Sequence, residues 1–206
     1  MPAITSVPDT TGTVGQPYVY DVEATGNPAP VFSLTQAPTG MTVDAATGVI
    51  NWTPEVGGGQ AVTVLATNSA GADSQSFLID VTAPPSITST PVTVGTLGQP
   101  YAYDVEATGN PTPVFALTVA PAGMTIDPTS GVIDWTPDAL GDQPVTVTAT
   151  NSEGSDSQAY TLTVQAVPNV PPTVAMTSPA ADQVFQLGDP VALAATASDS
   201  DGSVAQ

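Results

Sequence analysis

Four residue types are absent from this sequence: lysine, arginine, histidine and cysteine. Its 19 carboxylates therefore have no side-chain counter-charge, and the formal net charge at pH 7 is -19. Phosphate backbones and anionic lipid headgroups repel such a polyanion, so the composition argues against nucleic-acid and membrane-surface binding. There is also no run of 18 or more apolar residues, so we expect no membrane insertion.

The missing residues also limit the chemistry that the chain can perform. Without cysteine there are no disulfides, thiol nucleophiles or thiolate metal sites. Carboxylates alone remain as acid–base groups, and the best-spaced pair is Asp21 with Glu23. These two are predicted to lie on a convex, solvated strand face, which offers no burial to make one an acid and the other a base. We therefore predict that the chain is not an enzyme and has no catalytic residues.

The residues that are present indicate packed domains. Apolar residues make up 41% of the sequence and charged residues 9%, which is unlike an acidic disordered tail. The sequence also repeats itself at a distance of 83 residues: the segments that begin at Gly15 and Val62 return at Gly98 and Val145. Roughly two thirds of the aligned positions are identical, and a unit of this length fits one small β-sandwich.

Within each unit the apolar residues recur with a period of two. Tyr18, Tyr20 and Val22 alternate with outward positions, and so do Ile50 and Trp52. Turn signals rich in Gly, Pro and Asn separate these runs, and no segment has an apolar stripe of helical period. This pattern predicts an all-β fold of tandem immunoglobulin-like (cadherin-like) β-sandwiches with about seven strands each.

Proline-rich segments mark the predicted domain boundaries. Thr82-Ala83-Pro84-Pro85 separates the two repeats, and a second proline cluster follows near residue 168. Because proline restricts its own backbone and that of its neighbour, we expect short, semi-rigid spacers and an extended rod of domains. We predict repeat 1 at residues 1–84, repeat 2 at residues 85–167 and part of a third immunoglobulin-like domain at residues 168–206.

The third segment has a different pattern and holds enough residues for about three strands, too few to close a sandwich. We therefore expect the sequence to be a fragment of a larger protein. The residues after Met1 lack the basic and apolar regions of a signal peptide, which leaves a cytoplasmic protein or a leader outside this sequence. The fragment interpretation favours the second alternative.

Specific motifs carry a resemblance to a known family. They are GQPYxYDV, PxGMT[VI]D, [TS]GVIxWTP and VTVxATNSxG, each present in both repeats. The sequence resembles bacterial immunoglobulin-like repeats related to dystroglycan-type cadherin-like domains, from about Ile4 to Val81 and from Ile87 to Val164. The third segment resembles the start of another bacterial immunoglobulin-like domain. The resemblance implies tandem modules of exported proteins, at the cell surface or outside the cell, with neighbouring domains of the same chain as partners.

Calcium is the candidate cofactor that the resemblance suggests, because cadherin-like domains bind it with acidic residues near domain junctions. This sequence departs from that pattern, since Asn68 and Asn151 stand where an aspartate is expected and the proline linkers carry no acid. A separate candidate metal site is the turn with Asp199 and Asp201, whose alternate carboxylates precede a glycine. The same turn is also an ordinary acidic turn of its family.

The aromatic residues are predicted to be structural. A sugar-binding platform needs exposed aromatic rings, whereas both tryptophans share a strand face with an isoleucine. Leu65 and Leu78 point outward in repeat 1, but Thr148 and Thr161 replace them in repeat 2, so no apolar patch recurs. The predicted core aromatics are Tyr18, Tyr20, Trp52, Tyr101, Tyr103 and Trp135.

Two functions remain open at this level. The first is a structural spacer or stalk within a large secreted or cell-surface, adhesin-like protein. The second is an accessory module whose end loops bind a glycan or a surface protein, with or without calcium. Near-identical loops in the two repeats favour the spacer, although Val56-Gly57-Gly58-Gly59 differs from Ala139-Leu140-Gly141-Asp142. That difference suggests no ligand.

The composition generates one prediction about stability. Because carboxylates repel one another without any compensating cation, we expect added NaCl to raise the melting temperature by screening that repulsion. Thermal unfolding followed by circular dichroism, from low salt to about 0.15 M NaCl, measures the effect. A melting temperature that does not change over this interval would contradict the prediction.

Overall fold

The computed structural model describes residues 1–179, 183–200 and 202, and all of their regular secondary structure is β-strand. The strands form two compact units, Met1–Val164 and Gln165–Gln206. In the first repeat the strands are β1 (Ala3–Ile4), β2 (Thr11–Thr13), β3 (Tyr18–Asp21), β4 (Ala24–Thr25), β5 (Val31–Gln36), β6 (Thr42–Val43), β7 (Val49–Trp52), β8 (Gly58–Asn68) and β9 (Gly71–Ile87).

The later strands repeat this order. In the second repeat they are β10 (Val94–Thr96), β11 (Tyr101–Asp104), β12 (Ala107–Asn110), β13 (Val114–Val119), β14 (Thr125–Ile126), β15 (Val132–Trp135), β16 (Gly141–Asn151) and β17 (Gly154–Gln165). The second unit contains β18 (Thr173–Ser178) and β19 (Ala194–Ser198). None of the described residues forms a helix of the length and hydropathy that a membrane crossing would require.

Each repeat is a sandwich of two sheets. In repeat 1 the antiparallel sheet β5-β8-β9, extended by β2 parallel to β9, faces the sheet β3-β7-β6. In repeat 2 the sheet β10-β17-β16-β13 faces β11-β15-β14. The all-β, immunoglobulin-like fold class is thus confirmed. Repeat 1 has nine strand segments where about seven were predicted, because β1, β4 and β6 are two residues long and too short to show a period.

The core of each sandwich comes from the period-two pattern. The inward positions of facing strands are apolar, and their side chains are almost fully buried; Ile50 and Val64, for example, are 0% exposed. The core of repeat 2 has the same positions 83 residues later, with Leu162 in place of Ile79. Burial of this apolar surface is the main favourable contribution to folding.

The turn between β6 and β7 packs against the opposite sheet of repeat 1. Asp44 Oδ1 accepts hydrogen bonds from the backbone N–H groups of Ala46 and Thr47, at 2.9 and 2.8 Å. These hydrogen bonds hold the pKa of the Asp44 carboxyl below its ordinary value, and the bond from Thr47 contributes most. The turn ends at Gly48, which has a φ of 84° and lies under the Phe32 ring of β5.

The second unit contains a single antiparallel pair, β18 with β19, which aligns Val174 with Ala197. Val174 and Met176 are 68% and 61% exposed. The sequence predicted about three strands here, and the described residues form two. One described pair buries little apolar surface, because no second sheet faces it among residues 165–179 and 183–200.

The β6–β7 turn generates a prediction about Gly48. A Cβ atom at this position would lie 2.5 Å from the Val22 carbonyl oxygen, in addition to the strain of a positive φ. We expect Gly48→Ala to destabilise the protein by about 3 kcal/mol or more. Gly98→Ala is the matched control, because Gly98 also has a positive φ but has no atom within 4 Å of the added Cβ.

Chemical denaturation of both variants measures these free energies of unfolding. The control should lose about 1 kcal/mol, the cost of the backbone conformation alone. Equal losses in the two variants would mean that the close contact with Val22 does not constrain the turn.

Candidate functional site: the junction between the repeats

Strand β9 belongs to both repeats. Its first part, Gly71 to Val81, pairs with β8 in repeat 1, and Ser86 and Ile87 pair with β12 in repeat 2. The pairing of Ile87 with Ala107 repeats that of Ile4 with Ala24, so the end of β9 serves as the first strand of repeat 2. The chain therefore passes from one sandwich to the next as a continuous extended strand.

The prolines of the predicted linker lie within this strand. The register shifts between Ala83 opposite Asn110 and Ser86 opposite Thr108, which places Pro84 and Pro85 against a bulge. Proline lacks an N–H group, and a bulge is one of the few places in a sheet where that loss is tolerated. Pro85 is buried. The segment expected to be a spacer between domains is thus part of the packed structure.

Side-chain amides tie repeat 2 to this strand. Asn110 Nδ2 donates to the Val81 carbonyl oxygen at 2.7 Å and to Asp80 Oδ1 at 2.8 Å. Asn151 Nδ2 donates to the Ala83 carbonyl oxygen at 2.8 Å, and Thr82 Oγ1 donates to Glu153 Oε2 at 3.3 Å. We call the residues Asp80–Pro85, Asn110, Asn151 and Glu153 the junction.

A glycine of repeat 1 completes the junction. A Cβ atom on Gly57 would come within 2.7 Å of the Ala83 Cβ and 3.3 Å of the Asn110 Cβ. The equivalent residue of repeat 2, Leu140, is 55% exposed. The loop difference that sequence analysis found uninformative is therefore a packing requirement, which becomes visible only when the neighbouring repeat is in place.

The junction borders a groove with a volume of about 760 Å³. Val56, Pro84, Pro85 and Pro113 contribute apolar walls, and Glu55 is the one carboxylate among its lining residues. The groove therefore offers shape and apolar surface but little charge. Neither tryptophan lines it.

The junction does not fit a cadherin-like calcium site. Asn68 and Asn151, which replace the expected aspartates, use their amides as donors: Asn68 Nδ2 to Pro28 O at 2.6 Å and Asn151 Nδ2 to Pro111 O at 2.7 Å. The amide oxygens, which are the atoms that could bind a cation, accept backbone N–H groups instead: Asn68 Oδ1 from Ala70 at 2.8 Å and Asn151 Oδ1 from Glu153 at 2.9 Å. Among the described residues, no group of three or more acidic side chains is placed to hold a metal ion.

The second predicted metal site lies at the end of the chain. Asp199 is described and lies beside Gly202, where an added Cβ would be 3.0 Å from Asp199 Oδ2. Asp201 lies outside the described residues. Metal binding by Asp199 and Asp201 stays a prediction.

The structure places all six predicted core aromatics inside the sandwiches. Tyr18, Tyr20 and Trp52 are each 6% exposed, and their counterparts in repeat 2 are 4–5% exposed. Every polar side-chain atom of these six residues has a hydrogen-bond partner. For example, Trp52 Nε1 donates to Thr39 O at 3.0 Å, and Tyr18 OH donates to Asp9 O at 2.6 Å. Burial, with the nearby Asp9 charge, raises the pKa of Tyr18 to about 12.

Gln75, a polar residue not among the predicted structural residues, forms a hydrogen bond with one of these side chains. Tyr20 OH contacts Ser6 Oγ at 2.7 Å and donates to Gln75 Oε1 at 2.8 Å, while Gln75 Nε2 donates to the Ser6 carbonyl oxygen. Repeat 2 has the same network around Tyr103, with Gln158. The inward parity of Gln75 in the strand pattern was the available signal.

The geometry defines a class of protein: tandem immunoglobulin-like sandwiches joined through a shared strand. The chain belongs to the family described as "Putative Ig domain", whose model matches residues 1–82 and 84–165. Residues 172–206 match the model of a "Bacterial Ig domain". The resemblance to bacterial immunoglobulin-like repeats is thereby confirmed, as is the prediction that the chain is not an enzyme.

Two curated relatives are similar to this chain. The "Serine-rich adhesin for platelets" of Staphylococcus aureus strain MRSA252 is 28% identical over 153 residues, which is 70% of this chain and 11% of the relative. The same adhesin from strain MSSA476 is also 28% identical, over 70% of this chain and 7% of the relative's length. The chain thus spans about a tenth or less of the relatives' length.

Solved tandem immunoglobulin structures share the fold. A titin fragment, Titin-A168169, superposes with a TM-score of 0.58 at 15% identity and covers 80% of this chain and 98% of the fragment. The N-terminal four immunoglobulin domains of Dscam1 give 0.57 at 19% identity, with coverage of 80% and 46%. At such identities the likeness shows the fold alone.

The asparagine geometry generates a prediction about the junction. In Asn151→Asp, a carboxylate oxygen would replace the amide N–H that now donates to the carbonyls of Ala83 and Pro111. We expect a loss of about 2–3 kcal/mol, because both carbonyls lose a donor and face a negative charge. Asn68→Asp is the matched control; it affects only Pro28 O and should lose about 1–2 kcal/mol.

Denaturation at two pH values adds a second readout. The carboxyl that Asn151→Asp introduces would have a raised folded-state pKa, because only its protonated form can donate to a carbonyl. The cost of the substitution should therefore shrink as the pH falls toward that pKa. If Asn151→Asp costs no more than Asn68→Asp, the inter-repeat bond to Ala83 contributes nothing measurable.

Proposed function

We propose that the two repeats form a stiff spacer segment within an adhesin-like surface protein. The observation that carries this proposal is the junction: a continuous strand, a buried proline and amide hydrogen bonds connect sandwiches that could otherwise rotate about a linker. A spacer needs this property because bending between its modules would shorten its reach. Sequence similarity to a staphylococcal adhesin supports the surface location.

The composition is compatible with this role. With a net charge of -19 and no cationic side chain, the segment repels other acidic surfaces and binds no polyanion. The aromatic rings are buried and hydrogen-bonded within the sandwiches, so they stabilise the modules. In a spacer, the residues on which function depends are the structural residues, such as these buried aromatics.

Pulsed electron–electron double resonance (DEER) between two spin labels tests the stiffness of the junction. Because the sequence has no cysteine, labels attached at Val19→Cys and Ala102→Cys report a single distance between equivalent exposed positions of β3 and β11. We expect a narrow distance distribution in the full chain. It should broaden when Asn110→Ala and Asn151→Ala are added, since both remove bonds to β9.

The matched control is Asn27→Ala with Asn68→Ala, the equivalent residues of repeat 1, which lie away from the junction. This pair should leave the width of the distribution unchanged. A distribution in the unmodified junction as broad as that of a flexible linker would overturn the spacer proposal.

The second candidate function is binding of a glycan or a protein partner, and the junction groove is the feature that favours it. Val56 is 68% exposed at this groove. If the function is binding, a glycan array probed with the full chain should give specific signals that Val56→Asp abolishes. Array signals without dependence on Val56 would remove the groove from consideration.

A further inference from the structure

The N-terminal end of repeat 1 has the same backbone arrangement as the end of repeat 2 that meets strand β9. A Cβ atom added to Gly26 would lie 3.3 Å from the Pro2 Cα, and one added to Gly109 would lie 3.3 Å from the Pro85 Cα. Pro2 and Pro85 are both buried. The backbone that receives β9 at repeat 2 is therefore also present at repeat 1.

The asparagine side chains at these two ends differ in their acceptors. Asn110 Nδ2 donates to two acceptors of β9, whereas the exposed amide of its counterpart, Asn27, has no acceptor among the described residues. Asn151 Nδ2 has one acceptor in β9 and one in its own repeat, and its counterpart, Asn68, has only the second. The donors that bind β9 at repeat 2 are thus present at repeat 1 with spare donor capacity.

The strand pairing also stops earlier in repeat 1 than in repeat 2. Strand β12 runs to Asn110, which pairs with Ala83 of β9, whereas β4 ends at Thr25. By the equivalence of the two repeats, the position opposite Asn27 belongs to a residue ahead of Met1. A strand that enters from that side would continue the same pairing.

Two positions in repeat 1 define the surface that docks onto such an end. A Cβ atom on Gly57 would lie 2.7 Å from the Ala83 Cβ, so the loop before β8 requires glycine here. Asp80 supplies a carboxylate acceptor. Repeat 2 has Leu140 and Thr163 at the equivalent positions. The C-terminal end of repeat 1 therefore has the docking surface, and that of repeat 2 lacks both features.

We propose that the N-terminal end of repeat 1 is a docking surface for the C-terminal end of another immunoglobulin-like repeat, with glycine at the position of Gly57 and a carboxylate at that of Asp80. Continuity with the existing junction identifies this partner, because the same backbone and equivalent amides already hold β9 at repeat 2. An amide that donates to a carboxylate also forms a charge-assisted hydrogen bond without the cationic side chains that this sequence lacks.

One contact of the existing junction has no counterpart at this end. Ala70 stands at the position of Glu153, so a hydroxyl equivalent to that of Thr82 would find no carboxylate there. The hydrogen bond between Thr82 and Glu153 is long, at 3.3 Å, and exposed. The two asparagines therefore provide the main polar contacts of the proposed interface.

A lengthened chain tests the docking. A copy of residues 1–84 is fused to the full chain in place of Met1, which puts a glycine loop and the β9 sequence ahead of Pro2. Nitrogen-15 NMR then follows the side-chain amide protons of Asn27 and Asn68 in the original repeat. We expect their exchange with water to slow about fivefold or more. The same two amides within the copy have no repeat ahead of them and serve as the internal reference.

Substitutions within the copy test which residues the partner needs. Gly57→Leu in the copy should restore fast exchange at Asn27 and Asn68, and Asp80→Thr should restore it at Asn27 alone. Both new residues occur at the equivalent positions of repeat 2, so we expect the fold to be retained, and a thermal melt checks this. Unchanged exchange in the lengthened chain, or slowing that persists with Gly57→Leu, overturns the proposal.

The glycine requirement can be tested without the fusion. Gly57→Leu in the full chain should speed the exchange of the Asn110 and Asn151 side-chain amides about fivefold, because leucine would displace β9 from repeat 2. Leu140→Ala is the matched control, since Leu140 is exposed at the other end of repeat 2, and it should change neither rate. Equal rates in Gly57→Leu and the unmodified chain would overturn the proposal.

This inference rests on the proposed function in that a spacer is built from further repeats, and the existing junction separates the two proposals. If Asn110 and Asn151 exchange slowly while Asn27 and Asn68 do not respond to the copy, the docking surface is disproved and the spacer proposal stands. Fast exchange at all four amides overturns both proposals.

Discussion

The absence of cationic side chains is the constraint on which the polar structure of this protein depends. Apart from the amino terminus, the donors available to the carboxylates are backbone N–H groups, hydroxyls, side-chain amides and two indole N–H groups. The described structure uses the first three of these kinds. Asp73 Oδ2 accepts a hydrogen bond from Ile4 N at 2.8 Å, and Asp44 Oδ1 accepts one from Thr47 N. Asp80 Oδ1 accepts one from Asn110 Nδ2. At the junction, asparagine side chains donate the hydrogen bonds that arginine or lysine donates in many other interfaces.

This constraint gives neutral donors a structural importance that composition does not reveal. Asn68 and Asn151 close the same loop in the two repeats, but Asn151 has a second acceptor because strand β9 passes beside it. The same residue that removes the expected calcium ligand also supplies the inter-repeat bond.

Much of the fold could be predicted from sequence, because burial in a sandwich imposes a period of two. The pattern around Tyr18, Tyr20 and Trp52 identifies inward faces, and repetition after 83 residues identifies two equal modules. Strand ends and short pairs such as β1 with β4 were not predictable, since two residues carry no period. The predicted spacer around Pro84 and Pro85 is part of β9, because extended proline can occupy a bulge opposite Gly109.

By itself, the sequence determined the all-β class, the two repeats and the buried aromatics, since each follows from repetition or from a period of two. Only the tertiary structure decided what Gly57, Asn110 and Asn151 do. Their roles depend on atoms of the other repeat or of the shared strand: the two amides donate across 2.7 and 2.8 Å, and a Cβ atom added to Gly57 would lie 2.7 Å from the Ala83 Cβ. Local sequence patterns carry no record of such contacts, because they form between residues that lie tens of positions apart in the chain.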